Sequence, residues 1–367
     1  MSVNQNKSEI HQYFMNLALQ QAKINIGNTK DNPSVGCVIT KNNQLISASH
    51  TNINGRPHAE SSAIKVSGHK AKNSFLYSTL EPCSNYGKTQ PCVKLIAKKK
   101  IKKVFYSLHD PDKKSFNKST KYFKKKGIST KTGILLKTIK SFYESYTLSR
   151  RAGYPYVNCK LAVTKDFFIN NKKKKWITNI YSLGRAHLMR SKYDCIITSS
   201  ETIVTDNPLL TCRINGLEKK SPDRIILDNK LRIPLNSKIL NKKLLGKTII
   251  FYNNGNIRKI NLIKNLGIKL FITPLDRNGN LDLKKILIKL KKLGYHRILL
   301  ETGLKMSTNF FKNKLINEFS LFISDIKIKN NGYNNINFFW NSFLKNKKYT
   351  LEKVNLFGER LLSYKIK

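Results

Sequence analysis

Acid is scarce in this chain: 21 Asp and Glu stand against 69 Lys and Arg, a formal net charge of +48 over 367 residues. Taken alone, that imbalance points to nucleic acid or another anionic surface. No RNP-type motif and no basic stripe accompany it, and the lysine runs at 98–100, 124–126, 172–175 and 242–243 are scattered. Lysine, asparagine, isoleucine, tyrosine and phenylalanine crowd the whole sequence, and A/T-rich codons encode all five. The charge is therefore read as a composition bias, the lysine runs as loops, and no specific nucleic-acid partner is expected. Its long-range field still favours phosphorylated substrates.

Other absences narrow the class further. No apolar run reaches the roughly 18–20 residues of a membrane span, so no membrane association is expected. The opening MSVNQNKSEIHQYF has no apolar core of a secretory signal. Six cysteines (37, 83, 92, 159, 195 and 212) are too sparse for a disulfide scaffold. A cytoplasmic protein is expected, and in that compartment clustered cysteines bind metal or do chemistry. No GxGxxG run is present, which removes the glycine fingerprint of a Rossmann dinucleotide site.

What is present alternates. An amphipathic helix at 9–23 precedes a hairpin of strands at 34–40 and 44–49, a helix at 58–68, a strand at 74–80, a helix at 91–101 and a strand at 102–108. Such alternation predicts a layered α/β domain. Composition shifts near SYTLSRRAGYPY, which places the boundary between domains 1–148 and 149–367. The second domain repeats the alternation, with strands at YVNCKLAVT, CIITSS, RIILD, KTIIFYN, IKLFIT, RILLETG and LFISDIKI and helices between them.

The chemistry concentrates in RPHAE and TLEPCSNYGKTQPC. His-x-Glu followed by Pro-Cys…Cys is the signature of zinc-dependent deaminases of nucleobase-type rings. His58, Cys83 and Cys92 supply one imidazole and two thiolates, leaving a fourth tetrahedral position for water, whose pKa zinc lowers towards ~7. Glu60, two residues from His58 on the same helix, is placed to move that water's proton to the ring nitrogen and the leaving ammonia. Cys92, at a helix start, is expected to gain thiolate character from the helix dipole. A structural zinc site would need a fourth protein ligand, and Cys37 lies inside an apolar run that reads as core. Editing and free-cytidine deaminases space their cysteines as Cys-x-x-Cys; eight residues intervene here.

These residues resemble the bifunctional riboflavin-biosynthesis deaminase–reductase family. The likeness runs through DNPSVGCVI, His50, RPHAE, TLEPCSNYGKTQPC and HDP, then GYPYVNCKLAVTKD, KWIT, HLMR, ITSSETIVTDNPLLTCR, RIILD and LLETG. It implies a cytidine-deaminase-like three-layer α/β/α domain followed by a dihydrofolate-reductase-like α/β domain, which binds NADPH without a Rossmann loop. It implies zinc in the first half and NADPH in the second. The first half would hydrolytically deaminate 2,5-diamino-6-(5-phosphoribosylamino)pyrimidin-4-one, and the second would reduce the ribosyl side chain to ribityl. The resemblance also implies a homo-oligomer.

Carried over residue by residue, the resemblance gives zinc to His58, Cys83 and Cys92 and proton transfer to Glu60. It gives the deaminase substrate to Asn32, His50, Lys88 and Asp110. The reductase substrate falls to Lys174, Arg190, Leu210, Arg213 and Glu301. NADPH falls to Ala162, Trp176, Thr178, Thr202, Asp206 and Asn229, and to the segment Gly303, Leu304, Lys305, Met306, Ser307, Thr308 and Asn309. That segment opens a helix whose free amides would hold the cofactor pyrophosphate. Departures from the family pattern stand at Asn85 and Tyr86, where histidines are usual, and at Thr164-Lys165-Asp166-Phe167, where Ser-x-Asp-Gly is usual. Two other readings are a monofunctional deaminase with a degenerate reductase half and a nucleic-acid-editing deaminase.

Overall fold

Two asparagines set the first hairpin. Asn42 and Asn43 both adopt positive φ (51° and 60°), the two-residue turn whose twist matches antiparallel strands. They join β1 (Gly36–Lys41) to β2 (Gln44–His50). The computed structural model describes residues 3–112, 115–171 and 176–366. Its contacts divide the chain into two units, Met1–Ala152 and Gly153–Lys367.

In the first unit, α1 (Val3–Lys23) precedes the hairpin. It buries Phe14, Met15, Ala18, Leu19 and Ala22, a stripe at helical spacing. Gly36 lets it lie close: a Cβ there would stand 1.8 Å from the Ala18 carbonyl oxygen. Then follow α2 (Ala59–Ser67), β3 (Phe75–Leu80), α3 (Cys92–Lys98), β4 (Lys103–Leu108), α4 (Lys118–Lys125), β5 (Ser129–Thr132), α5 (Leu136–Phe142) and α6 (Glu144–Ala152). The sheet order is β2-β1-β3-β4-β5. β1 is antiparallel to both neighbours, and β3, β4 and β5 run parallel. β1 and β3 are buried residue after residue, as strands covered by helices on both faces must be. Cys37 lies in that core with no exposure. The lysine run at 124–126, expected as a loop, instead closes α4, whose Ser119 and Phe123 are buried at i, i+4.

The second unit contains β6 (Tyr156–Val163), β7 (Phe168–Asn171), α7 (Ile180–Arg190), β8 (Cys195–Ser199), α8 (Ser200–Asp206), β9 (Asp223–Leu227), β10 (Thr248–Tyr252) and α9 (Ile257–Asn265). It continues with β11 (Lys269–Ile272), α10 (Leu283–Lys292), β12 (Arg297–Leu300), α11 (Leu304–Lys312), β13 (Glu318–Ile323), β14 (Gly332–Asn335), β15 (Tyr349–Leu351) and β16 (Arg360–Lys365). Nine strands form one sheet in the order β11-β10-β9-β8-β12-β6-β13-β16-β15. It is parallel as far as β13; β16 and β15 then return antiparallel as a terminal hairpin. β7 and β14 pair separately. In open parallel sheets, ligands collect beyond the carboxyl ends of the strands, and here those ends deliver Ala162, Ser200 and Glu301.

Candidate active sites

In the first unit the metal trio is assembled by two helix starts and one loop. His58 caps α2, Glu60 sits in its first turn, and Cys92 is the first residue of α3. Cys83 follows β3. The eight-residue loop closes because α3's first amides return to Cys83: Cys92 N–H donates to Cys83 Sγ at 3.3 Å and Val93 N–H to the Cys83 carbonyl at 3.2 Å. His58 Nδ1 lies 3.5 Å from both sulfurs. All three candidate ligand atoms fall within 4.8 Å of one another. Zinc bonds of ~2.3 Å to sulfur and ~2.0–2.1 Å to nitrogen imply a tetrahedral edge of about 3.6 Å, so the donor set fits zinc in identity and spacing.

Glu60 is 3% exposed, and the Cys92 thiol donates to its Oε2 at 3.7 Å. Burial pushes its carboxyl up to about 7, with the His58 imidazolium partly opposing the shift. A carboxyl at that value exchanges protons near neutral pH. The thiolate bias falls on Cys83, where the sequence suggested Cys92. The hydrogen bond from Cys92 holds the Cys83 thiol down at about 4. The Cys92 thiol is pushed well up by its role as donor to Cys83, by burial and by Glu60. The seven-residue α3 cannot offset complete burial of Cys92.

The other deaminase-half candidates lie on separate loops and strand ends of the first unit. Asn32, half-buried, donates from Nδ2 to the Gly55 carbonyl at 3.0 Å. His50 ends β2 with Nδ1 3.2 Å from Gln21 Oε1. Lys88 is exposed on the loop between the cysteines. In that loop the Arg56 guanidinium donates to Thr89 Oγ1. Asp110 is buried and accepts from Asp112 N–H at 3.0 Å and Tyr146 O–H at 3.3 Å. The sequence reading passed over Glu81. Buried two residues before Cys83, it lies 2.9 Å from His109 Nδ1 and accepts from the amides of Asp110, Asn117 and Ser119 and the Ser119 hydroxyl. One carboxylate thus ties the loop carrying Asp110 to the start of α4. Acid before Pro-Cys was the available signal, but its partners lie 28–38 residues away.

In the second unit a cavity of about 750 Å³ opens beyond the strand ends. Ala162, Trp176, Thr178, Arg190, Thr202, Asp206, Leu210, Arg213, Glu301, Gly303, Leu304 and Lys305 line it. Met306, Ser307, Thr308, Asn309 and Asn229 fall outside that lining. Helical periodicity turns Ser307 into the core, where Cys159 Sγ lies 3.6 Å from its hydroxyl. Asn229 donates instead to the Gly279 carbonyl. Lys174 lies outside the described residues. Leu210 is buried yet holds φ 52°, the kind of backbone strain that functional sites retain.

The cavity's charged cluster is an ion-pair network. Arg190 grips Glu301 with two bonds, Nε to Oε1 at 2.8 Å and Nη2 to Oε2 at 2.9 Å, and donates from Nη1 to the Thr211 carbonyl at 3.1 Å. Burial would raise the Glu301 carboxyl; Arg190 and Lys160 overcome it and hold it at about 2. Burial lowers the Lys160 amine, against the opposing pull of Glu301. His187 is brought down to about 4 by burial, then by Arg190 and Arg213. Arg190 is thus committed to Glu301, whereas the Arg213 side chain stands exposed at the cavity wall. Lys160 and His187, both lining residues, were missed by the sequence reading. Alternation along β6 and helical spacing to Arg190 were the signals.

Comparison with known proteins divides the chain at similar places. Residues 8–108 match the family model described as the cytidine and deoxycytidylate deaminase zinc-binding region, and residues 155–327 match the RibD C-terminal domain. The riboflavin biosynthesis protein RibD of Bacillus amyloliquefaciens is 33% identical, over 87% of this chain and 85% of the relative. That of Aquifex aeolicus is 32% identical over 97% and 98%. The solved structure of Acinetobacter baumannii RibD, form 2, superposes with a TM-score of 0.83 at 26% identity, covering 98% of this chain and all of that one.

Proposed function

The chain belongs to the RibD family of riboflavin-biosynthesis proteins, a zinc-dependent deaminase joined to an NADPH-dependent reductase, and from that premise we propose which residues carry each step. The first unit hydrolyses an exocyclic amino group of the diamino-phosphoribosylaminopyrimidine. The second reduces the ribosyl side chain of the product to ribityl. The observation that carries this reading is the trio His58, Cys83 and Cys92 with Glu60 against Cys92.

Zinc, when held by His58 Nδ1, Cys83 Sγ and Cys92 Sγ, supplies the Lewis acidity that makes a water nucleophilic near neutral pH. Glu60 Oε2 would carry the two protons of the attacking water in turn, the first to the ring nitrogen as oxygen bonds to carbon, the second from that oxygen to the amino group as its C–N bond breaks and ammonia leaves. Asn32, His50, Lys88 and Asp110 hold the pyrimidine and its phosphate. In the second unit NADPH, when bound, would supply the hydride. Trp176, Thr178, Thr202, Asp206 and the start of α11 hold the cofactor. Arg213 faces the substrate phosphate as a charge-assisted donor. Arg190 fixes Glu301, and Lys160 Nζ donates the proton that the ribose ring oxygen needs when its bond to C1′ opens. The proposal includes a cytoplasmic homo-oligomer, for which light scattering above the monomer mass is the expected result.

A coupled assay tests the whole. Purified protein, given zinc, NADPH and the phosphoribosyl pyrimidine, should release ammonia and then oxidise NADPH. Ammonia without NADPH oxidation would remove the reductase role, and neither signal would remove both.

A further inference from the structure

The segment that brings Trp176, Ile177 and Thr178 to the cavity wall runs straight into α7, which brings His187 and Arg190 to the same wall. The residue between them is Asn179. Its side-chain oxygen accepts from the Tyr181 and Ser182 amides at 3.0 and 2.9 Å, capping the helix. Its other groups turn to the connection between β15 and β16. The Asn179 side-chain amide donates to the Leu356 carbonyl at 2.8 Å, and its backbone N–H donates to Glu359 Oε1 at 2.9 Å. Beside these bonds the Tyr181 ring stacks on Phe357, with centroids 4.0 Å apart. Arg185 pairs with Glu352 at 3.8 Å, and Ala186 packs among Phe322, Leu356 and Leu361.

Glu359 is 8% exposed, and its Oε2 is buried with no hydrogen-bond partner among the described residues. Burying a carboxylate costs free energy unless its bonds repay it. Its negative charge lies at the amino end of an eleven-residue helix, where the backbone dipole favours it. We propose that Asn179 and Glu359 are positioning residues for the reduction step. The terminal hairpin clasps the start of α7 and thereby sets where Trp176 and Thr178 stand on the cofactor wall. Neither residue touches the reacting atoms. The proposal rests on the reading of this cavity as the NADPH site.

The experiment compares the full-length protein with Glu359→Ala, Glu359→Gln and Phe357→Ala. NADPH affinity is read by fluorescence titration, deamination by ammonia release, and the amides of 179–183 by hydrogen exchange. Glu359→Ala should raise the dissociation constant and KM for NADPH about tenfold, the loss of one hydrogen bond to a charged acceptor, with reductase kcat retained. Its 179–183 amides should exchange faster while deamination is unchanged. Glu359→Gln keeps an oxygen acceptor but loses the charge, and should fall between wild type and Glu359→Ala in NADPH affinity and exchange, with deamination unchanged. If Glu359→Ala yields too little folded protein, Phe357→Ala, at an exposed ring, should shift exchange and affinity in the same direction. Unchanged exchange in Glu359→Ala overturns the clasp. Faster exchange with unaltered NADPH affinity overturns the positioning role. Wild-type protein that binds no NADPH, with exchange still responding in the variant, refutes the cofactor reading and with it the positioning role, while the clasp stands.

Discussion

Glu60 is nearly isosteric with glutamine, which makes the deaminase proton carrier testable in place. Glu60→Gln should keep full zinc occupancy by atomic absorption, because all three ligand atoms remain. Deamination should fall by roughly 10²–10⁴-fold, the usual weight of a general acid–base group. Retained ammonia release would refute the role. Lys160 is the proposed counterpart in the reductase. Its amine is buried and depressed beside Glu301, and Nζ lies 5.3 Å from the Phe322 ring centre. Methionine keeps the stem and removes the proton. Lys160→Met should lower reductase turnover by about 10²-fold or more, with NADPH affinity and deamination unchanged; turnover near wild type would show that the proton comes from elsewhere. Phe167 shows what a single backbone position tolerates. It occupies φ 66°, where a glycine is usual in the family. Phe167 N–H still closes the turn on the Thr164 carbonyl at 2.9 Å, and its ring packs on Trp340. Packing and hydrogen bonds offset the left-handed backbone, so loss of the glycine does not abolish the turn.

At the scale of elements, strand starts in the second unit gather half-buried acid. Asp194 precedes β8 and accepts from the His296 and Arg297 amides at 2.6 and 2.7 Å, which register β8 against β12. Burial, with Asp223 nearby, raises its carboxyl to about 7. The folded protein therefore holds a proton that the unfolded chain releases near pH 4. The contribution of Asp194 to stability is full below pH ~4 and is lost as pH rises towards 7. Asp194→Asn keeps an acceptor without the ionisation. Its melting temperature should match wild type below pH ~4 and exceed it increasingly up to pH 8, measured by circular dichroism; parallel curves would refute the assignment. The elements themselves were legible where apolar periodicity was strong, as in α1, β1, β3 and α10. α4 was not, because its lysines mask two buried positions. α8 was passed over, the strand reading CIITSS stopping at Ser200, because only Ser200 and Ile203 of its seven residues are buried.

The whole molecule carries two chemistries with separate requirements. The metal trio lies in the first unit and the cavity in the second. Chelation of zinc should therefore abolish ammonia release while leaving NADPH oxidation intact when the deaminated pyrimidine is supplied directly. Parallel loss of both activities, with restoration of both on adding zinc, would mean that the metal also sustains the reductase. A surplus of 48 positive charges adds attraction for phosphorylated substrates that weakens with salt.

By itself the sequence picked out the candidate zinc ligands His58, Cys83 and Cys92, the candidate proton carrier Glu60 and the order of the two domains. Those groups sit at element junctions in short motifs, where local spacing already constrains geometry. Tertiary structure alone decided which thiol is depressed, because that depends on burial and on a hydrogen bond across the loop. It decided that Arg190 serves Glu301, 111 residues along the chain. It also brought Glu359 to Asn179 across 180 residues. Such pairings leave no periodicity or motif, since they are fixed by the order in which strands enter the sheet.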